Sequence, residues 1–566
     1  MNYKKILTHH FTWLGIIGLI IFLFFTLPLV KRVKNRLVIG STIPRIEGLH
    51  GLDKPIGNYI PETYPELSFG VSRNENSVVL LKIETDHCVT LKVGNLLQDG
   101  QPSRKISFNF YRAEKFKTTK PSYKGAPTGD IIDPLIPLSQ EPAICPSSNT
   151  LQEPVWVLLN LNIPSEVPRG DYTLQLFLDD SPEFLIKLRV WQTKIQDKNA
   201  VRFYAGINTW FTVLGHFGKW NAAENVLAKN YTDVVQELHI NPIESWIQVP
   251  VVIRDDSGKL ILELEQIPNP QSSFISVYSN HIKAGMISLP NPFTDDNNVS
   301  PEDYLTAIEN TIHKYKWERR AYIFLWDEPT DEDYPSIIER AKLVRQFAPS
   351  AKILITTHYV PELEPYIDIY VPSINRMDQP GFPGPEVYEN LKKQGKQLWL
   401  YVSCMSHGCG NDQDAGTPDM VIDRQTSYIR SLGTLANKYH ADALLYWRLN
   451  HAFKGYPGRD PWKDQWYFSG NGDGTLLYPG RVNLFGLTYD QPILSIRIKA
   501  VEEMLNDMWY YKQMDRLQEK PAWWPQALNE LAKNPTDWEK DYNCYEKLRE
   551  KIGNYLDSNF IEINTE

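Results

Sequence analysis

Residues 320–330 of this 566-residue chain have the sequence RAYIFLWDEPT, and this stretch decides the fold. An apolar run of strand length leads directly into two adjacent carboxylates, Asp327 and Glu328, and Pro329 follows them. A continuous apolar run of this length is typical of a buried strand in a parallel sheet. Because proline cannot donate to a strand ladder, the strand is predicted to end there, with both acids at the edge of the sheet. In α/β proteins that edge carries ligand binding and catalysis.

The region from about residue 200 onward alternates strand and helix patterns on both sides of this stretch. Eight strands are predicted, at 201–207, 243–249, 284–289, 321–326, 352–357, 367–372, 397–403 and 443–447. Helical patterns lie between several of them, as at 335–347. Alternation of this kind indicates a parallel sheet. The number of strands favours a closed (β/α)8 barrel, with an open doubly wound sheet as the alternative.

The amino-terminal segment 11–30 is almost continuously apolar and is long enough to span a bilayer. No small-residue cleavage site follows it, so an uncleaved transmembrane helix is expected, with the membrane as a partner. The larger basic cluster lies after the segment, at 31–36. By the positive-inside rule this cluster would keep the body cytoplasmic. Enzymes on the secreted side usually carry the larger basic cluster before the apolar segment. The body is expected on the extracytoplasmic side, but the two signals conflict and leave the orientation open.

The predicted fold class is therefore α/β: a (β/α)8 barrel preceded by an N-terminal β-sandwich and an N-terminal transmembrane helix. The sandwich is indicated by short strands at regular spacing with turn residues between them and no helical period. The predicted domains are a membrane anchor segment at 1–36, a linker at 37–60, a β-sandwich at 61–197, the catalytic barrel at 198–515 and a helical tail at 516–566.

Composition and cysteine spacing exclude several classes of function. The net charge is −9 and no basic stripe is present, so nucleic acid is not an expected partner. Cys404, His407 and Cys409 resemble part of a zinc site, but no companion pair of ligands exists. We expect no metal and no cofactor, and either a disulfide between these two cysteines or two free thiols.

The stretch at 326–330 also resembles the Walker B strand of an ATPase, and His358 follows at the spacing of a switch histidine. A nucleotide needs a glycine loop that cradles phosphates, with a lysine followed by serine or threonine. None of the three Gly-Lys pairs, at 218, 258 and 395, is followed by serine or threonine. We therefore expect no nucleotide.

Paired carboxyl groups are the catalytic groups of glycoside hydrolysis. Asp327 and Glu328 are adjacent, and neighbouring side chains diverge on a strand, so the two cannot flank one bond from opposite sides. Adjacency fits a substrate-assisted reaction instead. Glu328 then acts as general acid and later as base, while Asp327 orients the 2-acetamido group of the substrate, which itself attacks the anomeric carbon.

Residues from about 155 to 511 resemble glycoside hydrolase family 123 and the wider set of barrel proteins around it. The motifs that carry the resemblance are VWV at 155–157, PRGDY at 168–172, WDEP at 326–329, LYWRLN at 445–450, DPW at 460–462, GDG at 472–474, YPG at 478–480 and SIR at 495–497. The resemblance implies β-N-acetylgalactosaminidase chemistry, with the Asp-Glu pair on the fourth barrel strand.

The candidate substrate-binding residues share a position at the predicted carboxyl ends of barrel strands. They are Asn208, Trp210, His358, Tyr359, Asn375, Tyr401, Trp447, Arg448 and Asn450. Trp447 could form a sugar platform, with an ordinary core tryptophan as the alternative. Tyr401 or Tyr359 could orient the acetamido oxygen.

The predicted function is membrane-anchored hydrolysis of β-linked N-acetylhexosaminides in a glycan or glycoconjugate. One alternative is a non-catalytic carbohydrate-binding or envelope-structural protein on the same scaffold, which the presence of both Asp327 and Glu328 disfavours. A further alternative is a glycosidase for another sugar, with a nucleophile from another strand.

Overall fold

A computed structural model of the chain describes residues 44–103, 105–146, 153–179, 183–195, 202–220, 225–244, 250–265, 283, 285–293, 299–404 and 416–559. The predicted membrane anchor at 1–36 lies outside these described residues, as do His407 and Cys409. Within the described part of the chain, no helix is both long and apolar enough to cross a membrane.

Eight parallel strands form a nearly closed barrel, which confirms the predicted architecture. In chain order, barrel strands one to eight are Arg202–Ile207, Asn241–Glu244, Ile287–Leu289, Ala321–Asp327, Lys352–Thr356, Ile369–Tyr370, Gln397–Val402 and Ala443–Tyr446. Parallel ladders join neighbouring strands from strand three through strand eight to strand one and then strand two. Between the described residues of strands two and three no ladder forms, and this gap leaves the barrel just short of closure.

Large side chains fill the interior of the barrel. Tyr204 and Trp399 stack with their ring centroids 4.5 Å apart, and Tyr322 meets Trp399 edge-on at 5.6 Å. These rings belong to one buried cluster together with Leu354 and Tyr401. Because the interior is a packed core rather than a pore, chemistry is confined to the ends of the strands.

Helices surround the barrel and cover the outer faces of its strands. They are Thr209–Phe217, Asn225–Glu237, Pro301–Tyr315, Tyr334–Phe347, Pro385–Lys393, Ser427–Lys438 and Ile496–Arg516, with short 3-10 turns at Asp331–Asp333, Pro361–Leu363, Ile374–Arg376, His451–Gly455 and Leu484–Gly486. The helix Pro301–Tyr315 is an example of how these helices form. Ser300 caps its amino end by accepting a hydrogen bond from the N–H of Asp303, and Tyr304 and Ile308 lie on its buried face.

The strand-rich amino-terminal region consists of two sheets that pack face to face around a shared apolar core. The first sheet contains Arg45–His50, Glu75–Glu84, Val155–Ile163, Ser107–Thr118, Gly129–Pro137, Gln491–Ser495 and Leu477–Gly480, in that spatial order. The second contains Glu66–Arg73, Phe184–Lys194, Gly170–Leu178, Val89–Gln98 and Gln101–Pro102, with Ala143–Ile144 paired to Val89–Gln98.

Two parts of the first sheet lie outside the segment predicted for the sandwich. The strand Arg45–His50 falls in the predicted linker, where glycine and proline obscured its pattern, yet it pairs along Glu75–Glu84. The strands Leu477–Gly480 and Gln491–Ser495 fall in the segment assigned to the barrel, and the latter pairs with Gly129–Pro137. The chain that follows barrel strand eight therefore returns to the two-sheet region and adds two strands to its first sheet.

The carboxyl-terminal segment packs against the two-sheet region through the helix Tyr542–Ser558, and the helix Trp523–Leu531 packs against this helix and against Ser427–Lys438. The indole N–H of buried Trp191 donates to Oδ1 of Asn554 over 3.0 Å. Buried Arg549 donates to Asp507 of the long helix Ile496–Arg516 over 2.8 Å. Three short hairpins complete the structure: Val252–Arg254 with Leu260–Leu262, Trp466–Tyr467 with Gly470–Asn471, and Ala532–Asn534 with Asp537–Trp538.

The cysteines are partly oxidised. Cys88 and Cys145 form a disulfide within the two-sheet region. Cys404 is also disulfide-bonded, and Cys544 is a free thiol.

Candidate active site

A β-bulge near the end of barrel strand four determines where the two acidic side chains point. Phe324 pairs with Leu354 of strand five, and the next pair is Trp326 with Ile355, so that Leu325 is an extra residue. A bulge of this kind shifts the alternation of side chains by one residue. It ends the regular pattern of the buried strand just before the carboxylates.

The bulge turns Asp327 toward the inside of the barrel mouth. Phe324 packs against the interior cluster, whereas Trp326 packs in the outer layer between strand and helix. Asp327 is paired with Thr356, which lies two residues after the interior residue Leu354. Since alternate residues of a strand share a face, Thr356 and its partner face the barrel axis. Regular alternation would have placed Trp326 inside and Asp327 outside.

Glu328 also reaches over the barrel mouth, although its backbone differs from that of a strand. Its φ is +46°, in the left-handed region that disfavours residues with a side chain. Its N–H donates to Oγ1 of Thr356 over 2.8 Å. The hydroxyl of Tyr401, from strand seven, donates to Oε1 of Glu328 over 2.5 Å. The expectation that the two acidic side chains diverge is therefore wrong, because the bulge and the left-handed turn bring both to one opening.

The carboxyl group of Asp327 has a perturbed pKa. The residue as a whole is solvent-exposed, but protein atoms crowd its carboxyl group, and the loss of hydration raises its pKa above 3.8. A hydrogen bond from Oγ1 of Thr356 to Oδ1 over 2.6 Å opposes this increase. The nearby charge of Glu328 adds to it. The strained backbone of Glu328 and the raised pKa of Asp327 make these two neighbours the candidate catalytic groups.

Contacts from outside the barrel support the bulge. Nδ2 of Asn291, just after strand three, donates to the carbonyl oxygens of Phe324 and Leu325 over 3.2 and 3.3 Å. The guanidinium of Arg340 lies 4.7 Å from the ring centroid of Trp326. These side chains line an open cleft of about 360 Å³ beside Asp327.

Across the barrel from strand four, Trp447 follows strand eight and is half-buried. Its indole N–H donates to Oδ1 of Asp473 over 3.3 Å. Gly474 has a φ of +68°, and a Cβ at this position would lie 2.2 Å from the Trp447 ring. The ring is thus seated on the glycine-rich loop at 470–480, and its position is set by that loop.

Asp473, the acid of the GDG motif, does more than form a turn. It is buried, and it accepts hydrogen bonds from the N–H of Cys404 over 3.0 Å and from the hydroxyl of Tyr446 over 3.2 Å. Burial raises its pKa to about 6. The only sequence signal for this role was an acid between two glycines in a motif that follows the last barrel strand.

Buried Arg497, in the SIR motif, holds this loop in place. Its guanidinium donates to both carboxylate oxygens of Asp133 over 3.0 and 2.9 Å. It also donates to the carbonyl oxygens of Gly472 over 2.8 Å and Thr475 over 2.7 Å. The motif residue therefore links the loop to the strand Gly129–Pro137 and has a structural role.

Asn208 and Asn450 use their amides within the protein. Nδ2 of Asn450 donates to the carbonyl oxygen of Asn208 over 2.8 Å and to Oγ1 of Thr212 over 2.9 Å. Oδ1 of Asn208 caps the helix Thr209–Phe217 by accepting from the N–H of Phe211 over 2.9 Å. Both residues are buried, so they join the ends of strands one and eight.

The remaining predicted residues follow the ends of the barrel strands, and each has contacts of its own. Tyr359 donates its hydroxyl to Oε2 of Glu364 over 2.6 Å. His358 packs edge-on against Phe382 at 5.3 Å, and burial lowers its pKa. Oδ1 of Asn375 accepts from Ser373.

Of two further predicted residues, Trp210 lies in the first turn of the helix Thr209–Phe217 and Arg448 lies beside that helix. The guanidinium of Arg448 lies 5.7 Å from the Phe211 ring, and Trp210 is 39% exposed. Of the predicted residues, Tyr401 is hydrogen-bonded to Glu328, and Asp327 and Glu328 are both hydrogen-bonded to Thr356, a residue that no sequence motif marks. Among the described residues, no group of three or more His, Cys, Asp or Glu side chains is placed to hold a metal ion.

A nearly closed parallel barrel with two carboxylates at its carboxyl-terminal mouth is the arrangement that barrel glycoside hydrolases use. Residues 272–513 match the family described as glycoside hydrolase 123, catalytic domain. The protein is a glycoside hydrolase, and these residues are similar to the catalytic domain of family 123. None of the curated proteins matches the chain at a significant level.

The solved structures give a fold-level comparison. The chain is similar to a family 123 glycoside hydrolase from Clostridium perfringens, a structure that concerns glycolipid glycan hydrolysis, with a TM-score of 0.64 and 10% identity over 91% of this chain and 98% of that one. A family 5 xyloglucanase from Bacteroides ovatus matches with a TM-score of 0.25 and 9% identity over 78% and 98% of the two chains. This second similarity carries no argument, whereas the first shows the shared fold.

Proposed function

We propose that this glycoside hydrolase cleaves β-linked N-acetylhexosaminides, with N-acetylgalactosamine as the preferred sugar, by a substrate-assisted mechanism that retains the anomeric configuration. One observation carries the proposal: the bulge and the left-handed Glu328 turn two adjacent carboxylates to the same opening and give each its own partner. Asp327 is held by Thr356 and Glu328 by Tyr401, which fits two unequal roles.

In the first step, Glu328 donates its proton to the glycosidic oxygen, and the bond from that oxygen to the anomeric carbon breaks. The carbonyl oxygen of the substrate's own acetamido group forms a bond to the anomeric carbon and gives an oxazolinium ion. Asp327 holds the acetamido N–H and stabilises the positive charge that develops there. The hydroxyl of Tyr401 fixes the orientation of the Glu328 carboxyl group at the mouth.

In the second step, the ionised Glu328 takes a proton from water while that water attacks the anomeric carbon. The bond to the acetamido oxygen breaks, and the sugar is released with its original configuration. Because Glu328 gives one proton to the leaving group in the first step and takes another from water in the second, the two steps need a single acid/base residue. Two inversions at one carbon account for retention.

The test is hydrolysis of aryl β-N-acetylgalactosaminide and aryl β-N-acetylglucosaminide beside the analogue that has a 2-hydroxyl group in place of the acetamido group. We expect turnover of the acetamido sugars and none of the analogue. Efficient hydrolysis of the analogue would point instead to a protein nucleophile from another strand. The control is the Asp327→Asn/Glu328→Gln double variant. If the wild-type enzyme is as inert as this variant on both acetamido substrates, the proposed function is overturned.

We also propose that the segment at 11–30 anchors the chain in a membrane and that the catalytic body lies on the extracytoplasmic side. The Cys88–Cys145 disulfide supports this side, because disulfides persist in oxidising compartments and are rare in the cytosol. The basic residues at 31–36 favour the other orientation. Protease added to intact cells that express the full chain should digest the body, whereas protection of the body until the cells are lysed would contradict this placement.

A further inference from the structure

The hairpin at 466–471 contains a turn whose residues do not suit its backbone. Its strands Trp466–Tyr467 and Gly470–Asn471 are joined by Phe468 and Ser469 alone, with φ values of +49° and +66°. A two-residue turn with both φ values positive is of the type that favours asparagine and glycine. A bulky residue in the left-handed region is a marked exception. The chain therefore keeps an aromatic ring at a position where its backbone is unfavourable, which suggests that the ring has a function.

The hairpin is held firmly next to the active-site mouth. Arg459 donates to the carbonyl oxygen of Trp466, and its guanidinium lies 4.0 Å from the Tyr467 ring. At the base of the hairpin, a Cβ on Gly470 would lie 2.8 Å from the sulfur of Cys404, just after strand seven. The conformation of the turn is thus imposed from both sides, and the position of the Phe468 ring is fixed.

The Phe468 ring lies against Trp447, with ring centroids 5.3 Å apart. It also lies 5.4 Å from the ring of His451. Trp447 is half-buried and bonded to buried Asp473, whereas Phe468 is 41% exposed. On the side of the mouth opposite Asp327 and Glu328, the aromatic surface therefore continues from Trp447 outward to Phe468.

We propose that Phe468 forms the wall of the leaving-group subsite and contacts a flat apolar face on the group attached to the scissile oxygen. This inference rests on the proposed function. A sugar placed between Glu328 and Trp447 occupies the inner part of the mouth, so the next ring of the substrate lies at the level of Phe468. The C–H face of a second sugar and an aryl group share the chemistry that an exposed phenyl ring binds.

The test uses Phe468→Asn with Ser469→Gly as its matched control. Both changes introduce a residue that the turn favours, so each variant should melt at or above the wild-type temperature. Only Phe468→Asn removes the ring. It should lower kcat/KM by about tenfold on a β-linked disaccharide with N-acetylgalactosamine at its non-reducing end, or on an aryl glycoside. A tenfold loss corresponds to about one aromatic contact. Hydrolysis of the glycosyl fluoride, whose leaving group has no ring, should change less than about twofold, and Ser469→Gly should leave all rates unchanged.

A binding measurement separates this inference from the proposed function. In the Glu328→Gln background, calorimetry should show that Phe468→Asn weakens disaccharide binding about tenfold and leaves binding of the monosaccharide unchanged. That pattern supports the subsite even if the wild-type enzyme hydrolyses none of the acetamido substrates. A loss confined to the disaccharide identifies a sugar as the natural leaving group, and a loss confined to the aryl glycoside identifies an aromatic one. Three results would overturn the subsite. They are an equal loss of kcat/KM on the fluoride and the disaccharide, no loss on either large substrate, and no disaccharide binding at all.

Discussion

Oγ1 of Thr356 donates a hydrogen bond to Oδ1 of Asp327 over 2.6 Å, and the same oxygen accepts the backbone N–H of Glu328 over 2.8 Å. One hydroxyl at the end of barrel strand five thus fixes the carboxylate of the first acid and the backbone of the second. Adjacent acids on a regular strand would point to opposite faces. The threonine is the contact that holds both at the barrel mouth, so it is a positioning residue for both proposed roles.

Thr356→Val removes both hydrogen bonds and nearly preserves side-chain volume. We expect kcat/KM on aryl β-N-acetylhexosaminides to fall about ten- to a hundredfold, the usual size of a lost hydrogen bond to a charged group. Thr356→Ser keeps the hydroxyl and should retain most of the activity. The measurement is kcat/KM of the two variants by steady-state kinetics, with melting curves to check that both are folded. Equal activity in the valine and serine variants would show that the hydroxyl does not position the acids.

Glu328→Gln removes the proposed proton donor. The loss should be largest on glycosides with poor leaving groups, where we expect about 10²- to 10⁴-fold, because only those need a proton at the departing oxygen. A plot of log kcat/KM against the leaving-group pKa should therefore be steeper for the variant than for the wild type. Glu362→Gln changes an exposed acid after strand five and is the matched control. The same fractional loss on every leaving group would contradict the acid role.

Asp327→Asn should abolish activity even with good leaving groups, while leaving the fold as stable as before or more so. The folded-state pKa of Asp327 is raised, so its ionisation disfavours the folded state at neutral pH. The protonated carboxyl group stabilises the folded state. This contribution to the free energy of unfolding is complete below about pH 3.8 and is lost as the pH rises through the folded pKa. The variant should therefore melt at or above the wild-type temperature at pH 7, and any difference should vanish at low pH.

The pH dependence of the wild-type enzyme gives a second check on Asp327. If the ionised carboxylate orients the acetamido group, kcat/KM should fall as the pH drops through its raised pKa. The acid limb should then lie above 3.8, the ordinary value for an aspartate. An acid limb at or below 3.8 would contradict this assignment.

The barrel was predictable from sequence because each buried strand is an apolar run in a region of strand–helix alternation. The strand at 443–447, for example, differs by one residue from the observed Ala443–Tyr446. The strand Arg45–His50 was missed because its order comes from pairing with Glu75–Glu84 across the sheet, and no local pattern records that pairing.

The two carboxylates of the site were predictable, but their geometry was not. The direction of Asp327 depends on a bulge, which is a property of the register between strands four and five. The burial of Asp473 depends on a loop that folds beneath Trp447. Both features arise from contacts between segments distant in sequence, so residue types alone do not reveal them.

Asp473→Asn should flatten the pH dependence of stability. The pKa of Asp473 is raised by burial to about 6, against an ordinary value of 3.8. Its stabilising contribution is complete below 3.8 and is lost as the pH rises to 6, a difference of roughly 3 kcal/mol. Denaturant unfolding between pH 4 and 7 should show this loss in the wild type and not in the variant. Asp331→Asn, at an exposed position, should follow the wild-type curve.

Asn291 should be needed for activity because it braces the bulge. Its Nδ2 donates to the carbonyl oxygens of Phe324 and Leu325, and Asn291→Ala removes both hydrogen bonds. The change should cost about 1–3 kcal/mol of stability, and kcat should fall more than KM changes, because Asp327 loses its fixed direction.

Asn310→Ala is the matched control for this last change. Asn310 also donates its amide to one strand carbonyl, that of Leu260 over 2.8 Å, but it lies away from the barrel mouth. Its loss should lower the melting temperature and leave kcat within about twofold of wild type, since one hydrogen bond of this kind affects folding alone. If the two alanine variants lose stability and kcat in the same proportion, Asn291 contributes to the fold in general. If only Asn291→Ala loses kcat, the bulge is what points Asp327 at the substrate.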